Sequence, residues 1–426
     1  MMAKQKEPVV SPKPKRVVVT GMGTLTPLGH TVEDTWQGLI AGESGIRSLQ
    51  NFDPGHGHCH VGGELVDFDA SQYLPRKKLR RMAFTSQLGV IAAQESLADA
   101  NLDLAKVDRD RVGVVIGTAG GITIQETEDA TVAMMSSKNA KVNPLIVTRL
   151  WPNMVTYFIA EQYQLRGYTS TVCTACASAT QAIGEAAQIL RSGLADIMIT
   201  GGTESLLSNL SYSGFDAMML FPRSFNDEPA RAYRPFDADR EGFVPAQGAG
   251  ILILETLESA QARGASIYAE ILGHGISNDA YNMVAPDPTG EGAALAITRA
   301  LTNSGLTIED VDYINAHGTA TTLGDVAETN AIKHAFGARA YDIPISATKS
   351  MIGHMLGATG AIEAIACVKS IETGVIHPTI NLDTPDPECD LDYVPNKSRE
   401  HNVKVAISNS MGIGGQNACL VLGAVS

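Results

Sequence analysis

The chain has 426 residues, 44% hydrophobic and 18% charged, which suits a soluble α/β enzyme with a large core and room for roughly two to three domains. Its 46 acidic and 32 basic residues leave a net charge of −14, which argues against a general nucleic-acid surface. Six cysteines without paired spacing argue against a disulfide framework and for a reducing, cytoplasmic setting. No apolar run reaches the ~18 residues of a membrane span.

Residues 1–15 are basic and proline-bearing, with no apolar segment of the signal-peptide kind, and read as a disordered leader. A first half is expected over 16–255 and a second over 256–426. Arg16–Thr20 (RVVVT) is a buried-type strand, and Thr31–Ala41 is a helix with Thr31 as its cap. The loop Asn51–Val61 holds His56, His58, Cys59 and His60, packed too tightly in a Gly-rich segment to converge on one ion, so no metal site is expected. Arg76–Arg81 (RKKLRR) is the densest basic run in an acidic chain; it is either a solvated helix start or a docking patch for an acidic partner. Met82–Ala100 is a long alanine-rich helix and Val112–Gly117 a second buried strand. The turn after it, Thr118–Gly121, fits neither a P-loop nor a dinucleotide fingerprint.

Thr169–Val172 is a short β-branched strand, and an alanine-rich helix of about four turns follows Cys176 and ends in Arg191-Ser192-Gly193. Cys176 sits between them, at or near the helix start, where free N–H groups and the helix dipole favour a thiolate nucleophile. The rival readings are a buried structural cysteine and a Cys173/Cys176 redox pair. The latter is disfavoured because the second cysteine, not the first, occupies the helix start. Strands at Ala195–Thr200 and Gly250–Glu255 follow, and the pattern then restarts with Ile267–Leu272, Val311–Ala316, Ile343–Ala347 and Val403–Ser408. Strands alternating with helices imply mainly parallel sheets, with ligands bound beyond strand ends. Such ends carry Cys176, His317, the segment Lys349–His354 and the Gly-rich turn after Asn409.

TACASA around Cys176, NAHGTAT around His317, KSMIGHMLGATGA around His354 and NSMGIGG near the end resemble the β-ketoacyl-(acyl-carrier-protein) synthases of the thiolase superfamily, synthase II type. RPFDADREGFV (Arg234–Val244) and HPTINLDTPDPECDLDYVP (His377–Pro395) are similar too. The resemblance implies a thiolase-like fold: two similar halves with five-stranded sheets in an αβαβα arrangement. It implies that Cys176 takes an acyl chain as a thioester from a carrier protein's phosphopantetheine arm. His317 and His354 would stabilise the enolate formed when malonyl-carrier loses CO2, and Lys349 would pair with Glu363. Thr319 and Thr321 would bind pantetheine, and the amides of Cys176 and Met411 would form the oxyanion hole. Met411 and Ile413 would gate the acyl pocket, and Lys77, Arg80 and Arg81 would dock the carrier. No metal or nucleotide cofactor is implied. A homodimer, or a heterodimer with a chain-length-factor-like subunit, is expected. At Met411, Ile413 and Gln416 the chain departs from the usual Phe, Phe and Thr, which bears on acyl length and on a type II polyketide alternative.

Overall fold

The computed structural model describes residues 15–136 and 142–425; the leader expected over 1–15 therefore lies outside the described residues, save Lys15. Ten strands form the main sheet. We number them β1 Val17–Leu25, β2 Val112–Gly117, β3 Thr169–Val172, β4 Ile197–Ser205, β5 Gln247–Thr256, β6 Ala269–Asn278, β7 Tyr313–Asn315, β8 Ile345–Ser346, β9 Val405–Gly412 and β10 Gln416–Gly423. The helices used below are α1 Phe84–Asp99, α2 Gly121–Ser136, α3 Met154–Tyr163, α4 Ser178–Arg191, α5 Glu291–Ser304, α6 Thr322–Phe336 and α7 Thr359–Thr373.

Strand order is β8-β7-β9-β10-β6-β1-β5-β4-β2-β3. The order within the first five strands, β1-β5-β4-β2-β3, repeats as β6-β10-β9-β7-β8 in the last five. In each set one strand, β5 or β10, runs antiparallel to both neighbours, and the other four point the same way. The two sets meet in a short antiparallel seam, Val18 opposite Glu270 and Val19 opposite Ala269.

Alternation along the strands builds the layers. Leu252 and Leu254 of β5, and Leu420 and Leu422 of β10, face a central core filled by α4 and α7. Ile251 and Ile253 face the opposite way, into the layer of α1 and α3, while Cys419 and Val421 face the layer of α5 and α6. Helix α4 buries Ala179, Ala182, Ile183, Ala186, Ala187 and Leu190, a helical stripe of mostly small side chains that lets α7 pack closely. At the helix starts there is no room for a side chain: a Cβ on Gly360 would lie 2.1 Å from Thr180 Oγ1.

Two of the sequence motifs prove to be a clamp between the halves. Arg234 pairs with Asp237 at 3.0 Å and Asp383 at 3.3 Å, and Arg240 donates to Asp386 at 2.6 Å. Asp237 accepts the amides of Asp383 and Thr384 at 2.8 Å each, and Phe236 stacks on Tyr393 with ring centres 3.8 Å apart.

Candidate active site

After β3 the chain turns through Thr174–Ala177, with Ala175 at φ +50°, a left-handed conformation that L-residues with a Cβ rarely adopt. Ser178 Oγ clamps the elbow, accepting from Thr174 N at 2.8 Å and donating to the Ala175 carbonyl at 2.6 Å. Cys176 is thereby presented in a short turn immediately before α4, its side chain buried.

His317 follows β7. Its amide and that of Gly318 donate to the two carboxylate oxygens of Glu328 on α6, at 2.7 and 2.8 Å. His354 follows the helical turn Lys349–Ile352 through Gly353, whose φ of +76° and closeness to Ala246 both exclude a side chain. The His354 amide donates to the Val244 carbonyl at 2.8 Å, and the Phe243 ring stands edge-on to the imidazole at 5.3 Å.

The first half thus supplies the sulfur and the second half both imidazoles. His354 Nε2 lies 3.2 Å from Cys176 Sγ, and the two imidazole rings are 5.5 Å apart and nearly perpendicular. Behind them, Lys349 Nζ donates to the His317 carbonyl at 2.6 Å and to Glu363 at 2.5 Å, and lies 3.2 Å from His317 Nδ1. An ammonium only donates, so Nδ1 accepts and the His317 ring proton sits on Nε2.

Burial, Lys349 and His354 hold the His317 imidazole well below its ordinary pKa, and burial and Lys349 do the same for His354. Both rings are neutral. Burial pushes the Cys176 thiol up to about 11, against the pull of the Ile413 amide and Lys349. This corrects the expectation of a thiolate at rest: the helix start is present, but desolvation outweighs it in the closed site.

Among the described residues, one group of metal-type donors converges: Cys176, His317 and His354, with donor atoms within 4.8 Å of one another. Because His317 carries its ring proton on Nε2, the trio presents a hydrogen-bond donor where a cation needs a lone pair. In the 51–61 loop, by contrast, His58 pairs with Asp216 at 3.0 Å and Cys59 turns inward toward the Val61 carbonyl. All six cysteines are free.

A cavity of about 270 Å³ joins the trio to the surface, lined also by Thr319, Thr321, Met411 and Ile413. The oxyanion expectation needs a correction here. It is the Ile413 amide that reaches the Cys176 sulfur, while the backbone carbonyl of Met411 faces the His317 ring. Met411 still sits in the ladder opposite Asn417, whereas Ile413 lies beyond the last pair, Gly412 opposite Gln416, so its amide is free to turn inward. Lys77, on the helical turn Arg76–Leu79, and Arg80 and Arg81, just after it, are exposed and do not line the cavity; their neighbour Lys78 donates to Gln162 at 3.2 Å. Sequence reasoning passed over Glu328, Phe243 and Thr359; of these, Phe243, inside RPFDADREGFV, and Thr359, five residues after His354 inside KSMIGHMLGATGA, lie in recognised motifs.

Two family models match the chain in order: the beta-ketoacyl synthase N-terminal domain over residues 14–260 and its C-terminal domain over 268–383. The chain belongs to the beta-ketoacyl synthase family. It is 48% identical over 408 residues to the 3-oxoacyl-[acyl-carrier-protein] synthase 2 of a Synechocystis species, covering 95% of this chain and 97% of the relative. Among solved structures it resembles the ishigamide ketosynthase/chain length factor, with TM-score 0.90 and 35% identity over 97% of this chain and 100% of that one. It also resembles the complex described as a type II PKS acyl-carrier protein with its hexaketide-bound ketosynthase, AntDE:AntF, with TM-score 0.89 and 34% identity at the same coverage. The layered thiolase-like fold read from the sequence is the fold of these ketosynthases.

Proposed function

We infer that the chain is a 3-oxoacyl-(acyl-carrier-protein) synthase that elongates acyl chains by decarboxylative Claisen condensation. The observation that carries this reading is the seat of Cys176 Sγ beside two neutral imidazoles at the end of a surface-connected cavity. A carrier-bound acyl thioester enters past Thr319 and Thr321. The sulfur of Cys176 bonds to the acyl carbon, the carbon–sulfur bond to pantetheine breaks, and the thiol proton leaves with the pantetheine sulfur. The Ile413 and Cys176 amides face the oxygen that becomes negative.

Malonyl-carrier then takes the vacated arm position. Its C–CO2 bond breaks, and the electron pair moves onto the thioester oxygen as an enolate beside His317 and His354. A donor aimed at such an oxygen contributes on the order of 3 kcal/mol. The enolate carbon attacks the acyl carbonyl, the Cys176 sulfur leaves, and uptake of one proton restores the thiol. None of these steps draws on a metal or a nucleotide; the phosphopantetheine comes with the carrier.

The exposed Lys77, Arg80 and Arg81 supply a basic docking patch for an acidic acyl carrier protein on an otherwise acidic chain. Strand β3 is a sheet edge beside exposed Tyr157 and Tyr168, a surface suited to a second copy in a homodimer. No helix among the described residues is long and apolar enough to cross a membrane, in keeping with a cytoplasmic enzyme.

A second reading, a type II polyketide or polyene ketosynthase working with a chain-length-factor-like partner, is favoured by the likeness to the two ketosynthase structures and by Met411 and Ile413 in the cavity wall. Intact-mass analysis of Cys176 after reaction with carrier-bound chains of graded length tests both. Saturated chains loading in preference to polyketide intermediates support elongation, the reverse supports the second reading, and no adduct on Cys176 refutes both.

A further inference from the structure

The hydroxyl of Thr359 lies 3.1 Å from His354 Nδ1 and accepts the Met355 amide at 2.9 Å. A threonine hydroxyl has one proton to give. Among the described residues Nδ1 is the acceptor within hydrogen-bond reach of that buried hydroxyl, so the proton is directed at the Nδ1 lone pair, which places the ring proton on Nε2, the nitrogen that faces Cys176. The side chain is buried and stands at the first position of α7, so its rotation is restricted.

We propose that Thr359 is a positioning residue that fixes the tautomer of His354. Glu363 lies one turn further along α7, where side chains four apart share a helix face. Through Lys349 it does the same for His317. One helix face therefore aims an imidazole N–H into the cavity from each ring: Thr359 directly, Glu363 by way of the ammonium. Both donors stand ready before substrate arrives, and no reorientation is needed as the enolate charge develops. Without the hydroxyl, His354 is free to carry its proton on Nδ1 and present a lone pair to the enolate oxygen instead, which repels it. This inference deepens the condensation reading and rests on it.

The test uses the full-length enzyme with Thr359→Val and Thr359→Ser. Valine keeps the shape and removes the hydroxyl; serine keeps the hydroxyl. Nitrogen-15 NMR of histidine-labelled protein reads the His354 tautomer without substrate, with His354→Gln for assignment. The wild type and Thr359→Ser are expected to show the proton on Nε2, and Thr359→Val to lose that preference. In parallel, the kcat for decarboxylation of malonyl-carrier is expected to fall about tenfold in Thr359→Val with KM within twofold, and Thr359→Ser to recover most of it. A wild-type His354 protonated on Nδ1, or a Thr359→Val enzyme with unchanged tautomer and kcat, overturns the proposal. If instead the tautomers behave as expected but no variant, nor the wild type, decarboxylates malonyl-carrier, it is the reaction assignment that fails and the role of Thr359 in setting the tautomer that stands.

Discussion

Lys349 holds His317 at two points, donating to its backbone carbonyl at 2.6 Å and meeting its ring at 3.2 Å, while Glu363 anchors the same ammonium from behind. All three are buried, and Lys349 and Glu363 have no exposed surface. Truncating one member of such a pair leaves an uncompensated polar group in the core. Lys349→Met is therefore expected to lose about 3 kcal/mol of stability and most condensation activity. The double variant Lys349→Met/Glu363→Leu should regain stability but not activity, since the His317 ring proton is no longer fixed. Denaturant unfolding and turnover, measured on both variants, check this.

The pH dependence follows from the directions of the shifts. A lowered histidine pKa means that the neutral form persists as pH falls below 6.5. Malonyl decarboxylation should therefore be flat from about pH 8 down to about pH 6. Acylation should behave differently. With the thiol pushed up to about 11, its ionised fraction rises roughly tenfold per pH unit through neutrality, and the acylation rate of the free enzyme should climb with it. Stopped-flow acylation across this range checks the slope; a decarboxylation limb near pH 6.5 would contradict the neutral-imidazole assignment.

Ile413 forms part of the cavity wall, and its amide reaches the Cys176 sulfur. Ile413→Phe adds bulk there while leaving the amide in place. The expected result is a shift of acylation toward shorter chains by about tenfold, with little change in stability, since the site is partly open. Competition between short and long acyl-carriers, read by mass, measures it.

Arg240 ties the loop of Thr321 and Thr322, which is proposed to bind the arm, to the rest of the fold. It donates to the carbonyls of Thr321 at 3.3 Å and Thr322 at 2.8 Å as well as to Asp386. Arg240→Met should cost about 3 kcal/mol and raise KM for carrier-bound substrates more than for short thioesters that lack the arm. Equal effects on both substrate types would show a purely structural role.

Much of this architecture is legible in the chain. Buried strands announce themselves as Val112–Gly117 and Gly250–Glu255 do, by short unbroken apolar runs, and the chemistry sits where those runs end. Helix α2 escaped notice because GITIQETEDATVAMMS mixes β-branched and acidic residues without a clean stripe. The contacts of Glu328 and Phe243 were illegible for another reason: each acts on a residue brought near by packing, 11 positions away for Glu328 and in the other half of the chain for Phe243. In a continued strand Met411 and Ile413, two positions apart, would share a face. Only the point at which the β9–β10 ladder stops decides which amide is free, and that point is a property of pairing, not of residue type.

The missing side chain at Gly360 sets the working gap of the enzyme. Thr180 sits four residues beyond the nucleophile and Gly360 six beyond the second imidazole, and they touch where α4 and α7 begin. One added methyl there would have to push the two helix tips apart, and sulfur and ring travel with them. Reactivity in this protein is thus tuned by how near two backbones can come, so that a substitution lacking any polar atom, and touching no substrate, can silence it.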